Sequence, residues 1–341
     1  MLSAVLLLTQ CSDWKTLRNK DITMEAFSDM KTPAFVFDHQ AIAQQLSTLA
    51  EAEKPQTEAD RRLCDYYKGG GTAVWIDAAG ADYRADSLMA WLQQVGDIGM
   101  TPRSFCTTEI QRDLQRLRQL DFDEGKNNIN RVAARLEYHL SKACLRYCYG
   151  QRFGFVNPHR VFNHLDVEKQ DTARRFVKYR GLFDQDMELP GEDYAKNVIY
   201  KVAHHTIADY LREIQPQGTL YTTLKDMLPT AASDEQRRRI ICNMERCRWR
   251  LHKPINEDEK RIVVNIPSYQ LYAYGDDSVL HMRVVCGALK TKTPQLTSDI
   301  EWMEVNPQWV IPMSIMENDV ARHAGDSGSA RGWSGAARGC A

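Results

Sequence analysis

Apolar positions along this chain recur with a period near 3.6 up to about residue 250 and with a period near 2 from Lys260 onward. The stretch RADSLMAWLQQVGDIGM (84–100) puts Leu88, Trp91, Leu92 and Val95 on one face, with Asp86 or Ser87 as N-cap and an end between Gly96 and Gly99. The clearest helix is NINRVAARLEYHLSKACLRYCYG (128–150). There Val132, Leu136, Leu140, Cys144 and Tyr147 recur every three or four residues and Gly150 closes the run. DYAKNVIYKVAHHTIADYLREIQP (193–216) reads as one helix with His204 and His205 in its middle, facing different sides. SDEQRRRIICNMERCRWRL (233–251) reads as another, with Ser233 and Gln236 spaced as a capping box. Upstream, AIAQQLSTLAEAEKPQTEADRRLCDYY (41–67) carries helix formers interrupted by Pro55.

After Lys260 the alternation is that of strands. RIVVNI puts Ile262, Val264 and Ile266 on one face. QLYAYGDDSVLHMRVVCG (270–287) reads as strand, Gly-Asp-Asp turn, strand, with Leu280, Met282, Val284 and Cys286 alternating with Val279, His281, Arg283 and Val285. That last strand is apolar on both faces, which predicts cover on two sides and a buried, inert Cys286 thiol. IEWMEVNPQWVIP (300–312) adds a strand that stops at Pro307. The expected fold class is α+β: a helical domain over about 30–250, then the opening of a β-rich domain. No internal repeat is present.

Composition narrows the function classes. The chain has 341 residues, 43% hydrophobic and 26% charged, so a sizeable core is affordable and wholesale disorder is excluded. With 44 basic against 45 acidic residues the net charge is −1, which gives no reason to expect nucleic acid as a partner. The run Arg237-Arg238-Arg239 reads as a solvated helix face. Nine cysteines occur without a CxxC pair, so neither a zinc ribbon nor a dithiol redox site is indicated, and no metal or cofactor is expected. Cys144 and Cys148 stand i,i+4 on the clearest helix, where core packing is the simpler reading. His204-His205 suggests no metal site, and His281 alternates toward solvent.

The opening residues MLSAVLLLTQC hold an apolar run, Leu2 to Leu8, too short to span a bilayer, which takes ~20 residues. The run resembles the end of a secretory signal, and LLTQC resembles a lipobox with Cys11 as the lipid-bearing residue. Gln10 stands where a small residue is usual. Residues 1–11 are therefore expected to be a signal or lipoprotein-like segment, the only route to a membrane.

The β-rich stretch resembles the catalytic domain of bacterial L,D-transpeptidases, the YkuD-type fold. The resemblance is carried by RIVVNIPSYQLYAY (261–274), MRVVCGALKTKTP (282–294) and VNPQWVIPMSIMENDV (305–320), in the family's order. NMERCRWR (243–250) resembles the helix that leads into it. The helical part resembles the scaffold domain of the large members through YYKGGGTAVWIDAAG (66–80), SLMAWLQQVGDIGMTPRSF (87–105) and ARLEYHLSKACLRYCYGQRFGFVNP (134–158). These resemblances imply a scaffold domain over 30–250 and part of a catalytic domain over 258–327. They imply acyl transfer in the cell wall: a Cys thiolate attacks a stem peptide, releases the terminal D-Ala, and an amine of a second stem peptide resolves the acyl-enzyme. Peptidoglycan stem peptides would be the partners, on the periplasmic side of the envelope.

The family supplies its chemistry from a His-Gly pair and a Ser-His-Gly-Cys-x-Arg segment. No His-Gly occurs in the chain. The C-terminal SGAARGCA offers Ser334, Gly339 and Cys340 but no His beside Gly339, and Cys340 is followed only by Ala341. From Gly328 the composition turns to Gly, Ala, Ser and Arg, so residues 328–341 are expected to be an aberrant, disordered tail after a shifted reading frame or a break in the gene. His323 in ARHAGD stands outside the family's catalytic position, and Trp309, between Pro307 and Pro312, reads as a core plug. The expectation is a family member without a catalytic residue of its own. The alternative is a non-catalytic envelope protein that binds peptidoglycan or a partner through its helices.

Overall fold

The computed structural model describes residues 36–165, 181–253 and 259–306. The chain divides into two compact units, Met1–Leu296 and Thr297–Ala341. In the first, the helices are α1 (His39–Ala52), α2 (Glu58–Lys68), α3 (Tyr83–Gln93), α4 (Thr107–Gln119), α5 (Ile129–Phe153), α6 (Pro158–Phe162), α7 (Tyr194–Ala203), α8 (Ile207–Glu213), α9 (Thr219–Met227) and α10 (Asp234–Arg246). Short strands β1 (Ile76–Asp77) and β2 (Gly80–Ala81) form a hairpin before α3, and β3 (Phe183–Asp184) follows α6. Then come β4 (Arg261–Asn265), β5 (Gln270–Tyr274), β6 (Val279–Arg283) and β7 (Gln295–Leu296). The fold is α+β, as the two periods predict.

The long helix α5 is the axis of the helical part, with α1, α2, α3, α4 and α7 packed against it. Its buried stripe runs from Ile129 through Leu136, Leu140 and Cys144 to Cys148. Asn128 caps it by accepting from Arg131 N. The helix does not stop at Gly150 as the pattern predicts. Gly150 is an interior contact, where a Cβ would collide with the Phe155 ring, and the left-handed Gly154 (φ 93°) ends the helix instead.

Three further expectations are corrected, the last in part. The N-cap of α3 is Asp82, whose carboxylate accepts from Arg84 N at 2.9 Å; Asp86 lies one turn in and pairs with Arg118. The predicted helix over 193–216 is two helices, because the chain turns left-handed at His205 (φ 59°). Buried Arg84 donates to Val202 O there, taking a carbonyl from the last turn of α7. His204 is thus the C-cap of α7 and stacks on Tyr200, while His205 lies 3.3 Å from Asp82. The Ser233 cap of α10 is as expected, accepting from Gln236 N at 3.2 Å, but Gln236 reaches Ala232 N rather than closing the box on Ser233.

Among the described residues, all buried hydrophobic side chains, from Ile42 to Met244, lie in the helical part. The antiparallel sheet β4-β5-β6 has no buried residue. In the second unit, residues 297–306 carry no strand, so the strand expected to begin at Ile300 is absent there; it has no neighbour to pair with among the described residues. Cys11, Trp309, His323, Ser334, Gly339 and Cys340, and the expected signal segment and tail, lie outside the described residues.

Candidate functional site

The three-stranded sheet is the place to look for chemistry, and its register follows from its alternation. Ile262 pairs with Ala273 and Ala273 with Leu280; Val264 pairs with Leu271 and Leu271 with Met282. Because side chains alternate, those six share one face. The other face carries Arg261 over the Tyr274 ring at 4.2 Å and Tyr272 stacked on His281 at 4.9 Å. Asn265 caps the β4–β5 turn by accepting from Ser268 N, and Gly275 N donates to Ser278 O to close the second hairpin.

Beyond β6 the chain carries Cys286. The strand ends at Arg283, three residues before the predicted end, and its two faces are open rather than covered. Cys286 is therefore half-buried, not buried, and its thiol points to Ile266 O at 3.8 Å. Gly287 follows in a tight turn, where a Cβ would collide with the Thr291 carbonyl; its N–H donates to Thr293 Oγ1 at 2.8 Å. His281 is exposed, as alternation predicts, and belongs to the aromatic face.

Seven described cysteines are free thiols. Their hydrogen bonds run from Cys64 to Tyr138, between Cys144 and Cys148, and from Cys286 to a backbone carbonyl. None of those partners is a base. Burial pushes the Cys148 thiol far up and the Cys106 thiol up, the reverse of what a nucleophile needs. Cys144 and Cys148 are packed in the core of α5, as expected. Among the described residues no cluster of His, Cys, Asp and Glu could hold a metal ion.

The perturbed carboxyls lie in the helical part, and the hydrophobic pattern did not find them. Glu137 sits fully buried in the middle of α5 and accepts from Val74 N and Trp75 N at 2.9 Å and from Tyr67 Oη at 3.0 Å. Burial raises its carboxyl above the usual range, against those hydrogen bonds. Ser141, one turn on, bonds Tyr67 Oη and accepts from Trp75 Nε1. A raised carboxyl is the mark of many catalytic acids, but the oxygens here are occupied by the 74–75 backbone, so Glu137 fastens that loop to α5. Asp60 does similar work: it accepts from Thr57 N, inside the capping box of α2, and receives Arg146 at 2.6 and 2.8 Å. Arg248, 2% exposed, donates to Gln151, Tyr221 and Glu245, locking α10 to α5 and α9. The available signal was a polar residue on an apolar helical stripe: Glu137 and Ser141 fall between Ala133 and Cys144.

Both parts of the chain are similar to known families. Residues 61–228 match the family described as the scaffold domain, and residues 259–336 match the L,D-transpeptidase catalytic domain. The chain joins a stretch similar to that scaffold domain to a stretch similar to an L,D-transpeptidase catalytic domain. A relative from Haemophilus influenzae, described as a "Putative L,D-transpeptidase", is 27% identical over 138 residues, 39% of this chain. The matched part spans 27% of that relative's length. No solved structure matches.

Within these two matches the structure sorts the candidates. The sheet β4-β5-β6 and the Cys286–Thr293 turn fall within the catalytic-domain match, and the Glu137, Asp60 and Arg146 anchors within or at the edge of the scaffold match. Cys286 and His281 are on different structural features: the thiol on a turn against Ile266, the imidazole on Tyr272. No helix among the described residues is long and apolar enough to cross a membrane.

Proposed function

We propose that this chain is a scaffold domain carrying part of a Cys-dependent L,D-transpeptidase domain, and that its 341 residues do not transfer an acyl group by themselves. The observation that carries the reading is the pairing of a catalytic-domain match over 259–336 with the absence of any His-Gly or Ser-His-Gly-Cys in the sequence. Transfer needs a thiolate with a lowered pKa, an imidazole in hydrogen-bond reach and N–H donors for the oxyanion. Among the described residues, the thiols of Cys64, Cys144, Cys148 and Cys286 bond to a phenol, to each other or to a carbonyl, and none bonds to an imidazole. The substrate class is the peptidoglycan stem peptide, the reaction is cross-link formation in the wall, and the working place is the periplasmic side of the envelope. The domain limits in this reading are 30–250 for the scaffold and 258–327 for the catalytic part. Cys11 is the lipid-bearing residue of the reading, and labelling with a palmitate analogue in cells checks it: no label on the wild type, or label retained in Cys11→Ala, rules Cys11 out as that residue.

Carbapenems test the chemistry, because they acylate this family's catalytic Cys. The purified chain is expected to show no adduct by intact mass. A gene that carries the family's His-Gly and Ser-His-Gly-Cys-x-Arg segments after residue 327 is expected to give one adduct per chain. A stoichiometric adduct on Cys340, lost in Cys340→Ala, would mean the opposite: a working active site within residues 1–341.

A further inference from the structure

A cleft of about 270 Å³ lies on the helical part, lined by Gln45 and Leu49 of α1, Lys126 of the α4–α5 loop, and Arg131, Ala134 and Arg135 of α5. Gln45 and Leu49 are one turn apart, as are Arg131 and Arg135, so each pair faces the same side. The three cations of the lining are not equivalent. Arg135 gives Nε and Nη2 to Asp113 at 3.0 and 2.9 Å and Nη1 to Lys126 O at 2.8 Å. Its charge is met, and it holds the loop in place. Arg131 reaches only a neutral acceptor, Gly125 O, at 3.4 Å. The Lys126 ammonium is exposed and makes no ion pair among the described residues. The positive end of the 25-residue helix α5 adds to both. The nearest loop acids do not line the cleft: Asp123 holds the turn by accepting from Gly125 N and Asn127 N, and Glu124 is exposed.

We propose that this cleft binds the free carboxylate of a short peptide. The Arg131 fork and the Lys126 ammonium receive the carboxylate. The Gln45 amide meets a peptide group, and Leu49 with Ala134 accepts a small apolar side chain. The volume lies just under the range of about 300–1,000 Å³ typical of small-molecule sites, which suits the end of a peptide. A bare phosphate would use the two cations and leave Gln45, Leu49 and Ala134 without a role. The proposal rests on the reading above only in taking peptides as the ligand class. Its test measures binding, not transfer, so its failure leaves the carbapenem result untouched.

The full chain is titrated calorimetrically with alanyl-alanine, with its C-terminal amide and with inorganic phosphate. The dipeptide is expected to bind saturably with a Kd of roughly 1 mM, and the amide at least tenfold more weakly. Arg131→Gln and Lys126→Gln are each expected to weaken binding about tenfold, while Arg237→Gln, an exposed arginine on α10, leaves it unchanged. Equal binding of the amide, phosphate binding as tight as the dipeptide, wild-type affinity in Arg131→Gln, or no saturable binding overturns the proposal. If Arg131→Gln loses helical circular dichroism, the exposed loop variant Lys126→Gln decides: wild-type affinity there also overturns it.

Discussion

Asp60 on α2 and Glu137 on α5 are both buried carboxyls, and their environments drive them in opposite directions. For Asp60, burial opposes ionisation, but the hydrogen bonds and charge of Arg146 and the N–H groups of Gln56 and Thr57 outweigh it, and its carboxyl lies below the ordinary 3.8. A depressed pKa means stability that is present above pH 3.8 and is lost as pH falls through the lower folded value. For Glu137, burial wins over the N–H donors of Val74 and Trp75, and its carboxyl lies above 4.5. Its contribution is complete below pH 4.5 and is lost as pH rises through the folded value. Two outcomes follow. Asp60→Ala strands Arg146 and the Gln56 and Thr57 amides that lead into α2, and should cost about 3–5 kcal/mol in urea unfolding, the range for breaking one side of a buried pair. Glu137→Gln keeps the shape without a titrating proton, so its melting temperature should fall less steeply than the wild type's as pH rises from 4.5. Parallel pH profiles for the two proteins would show that Glu137 is ionised in both states.

The sheet β4-β5-β6 is an amphipathic element whose apolar face is open. Ile262, Val264, Leu280 and Met282 share that face and are between 43% and 58% exposed, in the middle of a sheet that would normally bury them. Exposed apolar sheet surface with free edges drives self-association. Leu280→Glu combined with Met282→Lys should therefore lower concentration-dependent light scattering of the chain while leaving helical circular dichroism unchanged. Scattering unchanged by the pair would place the sticky surface elsewhere. The same element shows what the pattern along the chain can convey. Period-2 alternation located β4, β5 and β6 and told which residues share a face, because alternation is a property of the strand alone. It misjudged the cover on β6 and the burial of Cys286, because cover depends on what packs above the sheet. The helices divide the same way. Their existence follows from the 3.6 period, but the break at His205 and the passage of α5 through Gly150 are set by Arg84 and Phe155, each remote in sequence or outside the helix. Glu137, Asp60 and Arg248 were missed for a related reason: a polar residue on an apolar stripe acquires meaning only from its partner 60 to 100 positions away.

Across the whole molecule the unequal division of the core is the main fact. Apart from Leu182 and Phe183, the buried apolar side chains of the described residues form one cluster from Ile42 to Met244, and the last fully enclosed side chain of the described residues is Arg248, hydrogen-bonded to Gln151 and Tyr221. From residue 259 to 306 nothing is buried. Cooperative unfolding follows buried contacts, so the helical part should resist opening while the sheet opens locally at little cost. Trypsin offers a direct measure, since Lys260, Arg261, Lys290 and Lys292 are accessible or half-exposed while Lys142 and Arg248 are enclosed. Brief digestion of the full chain should cut between Lys260 and Lys292 first and leave a helical fragment that ends at Lys260 or Arg261. That fragment should keep the cooperative melt of the parent, because every group that anchors α10 to α5 is on its side of the cut. Survival of β4 to β6 for as long as the helices would mean that the sheet is covered in solution, and the open apolar face would then not be its working state.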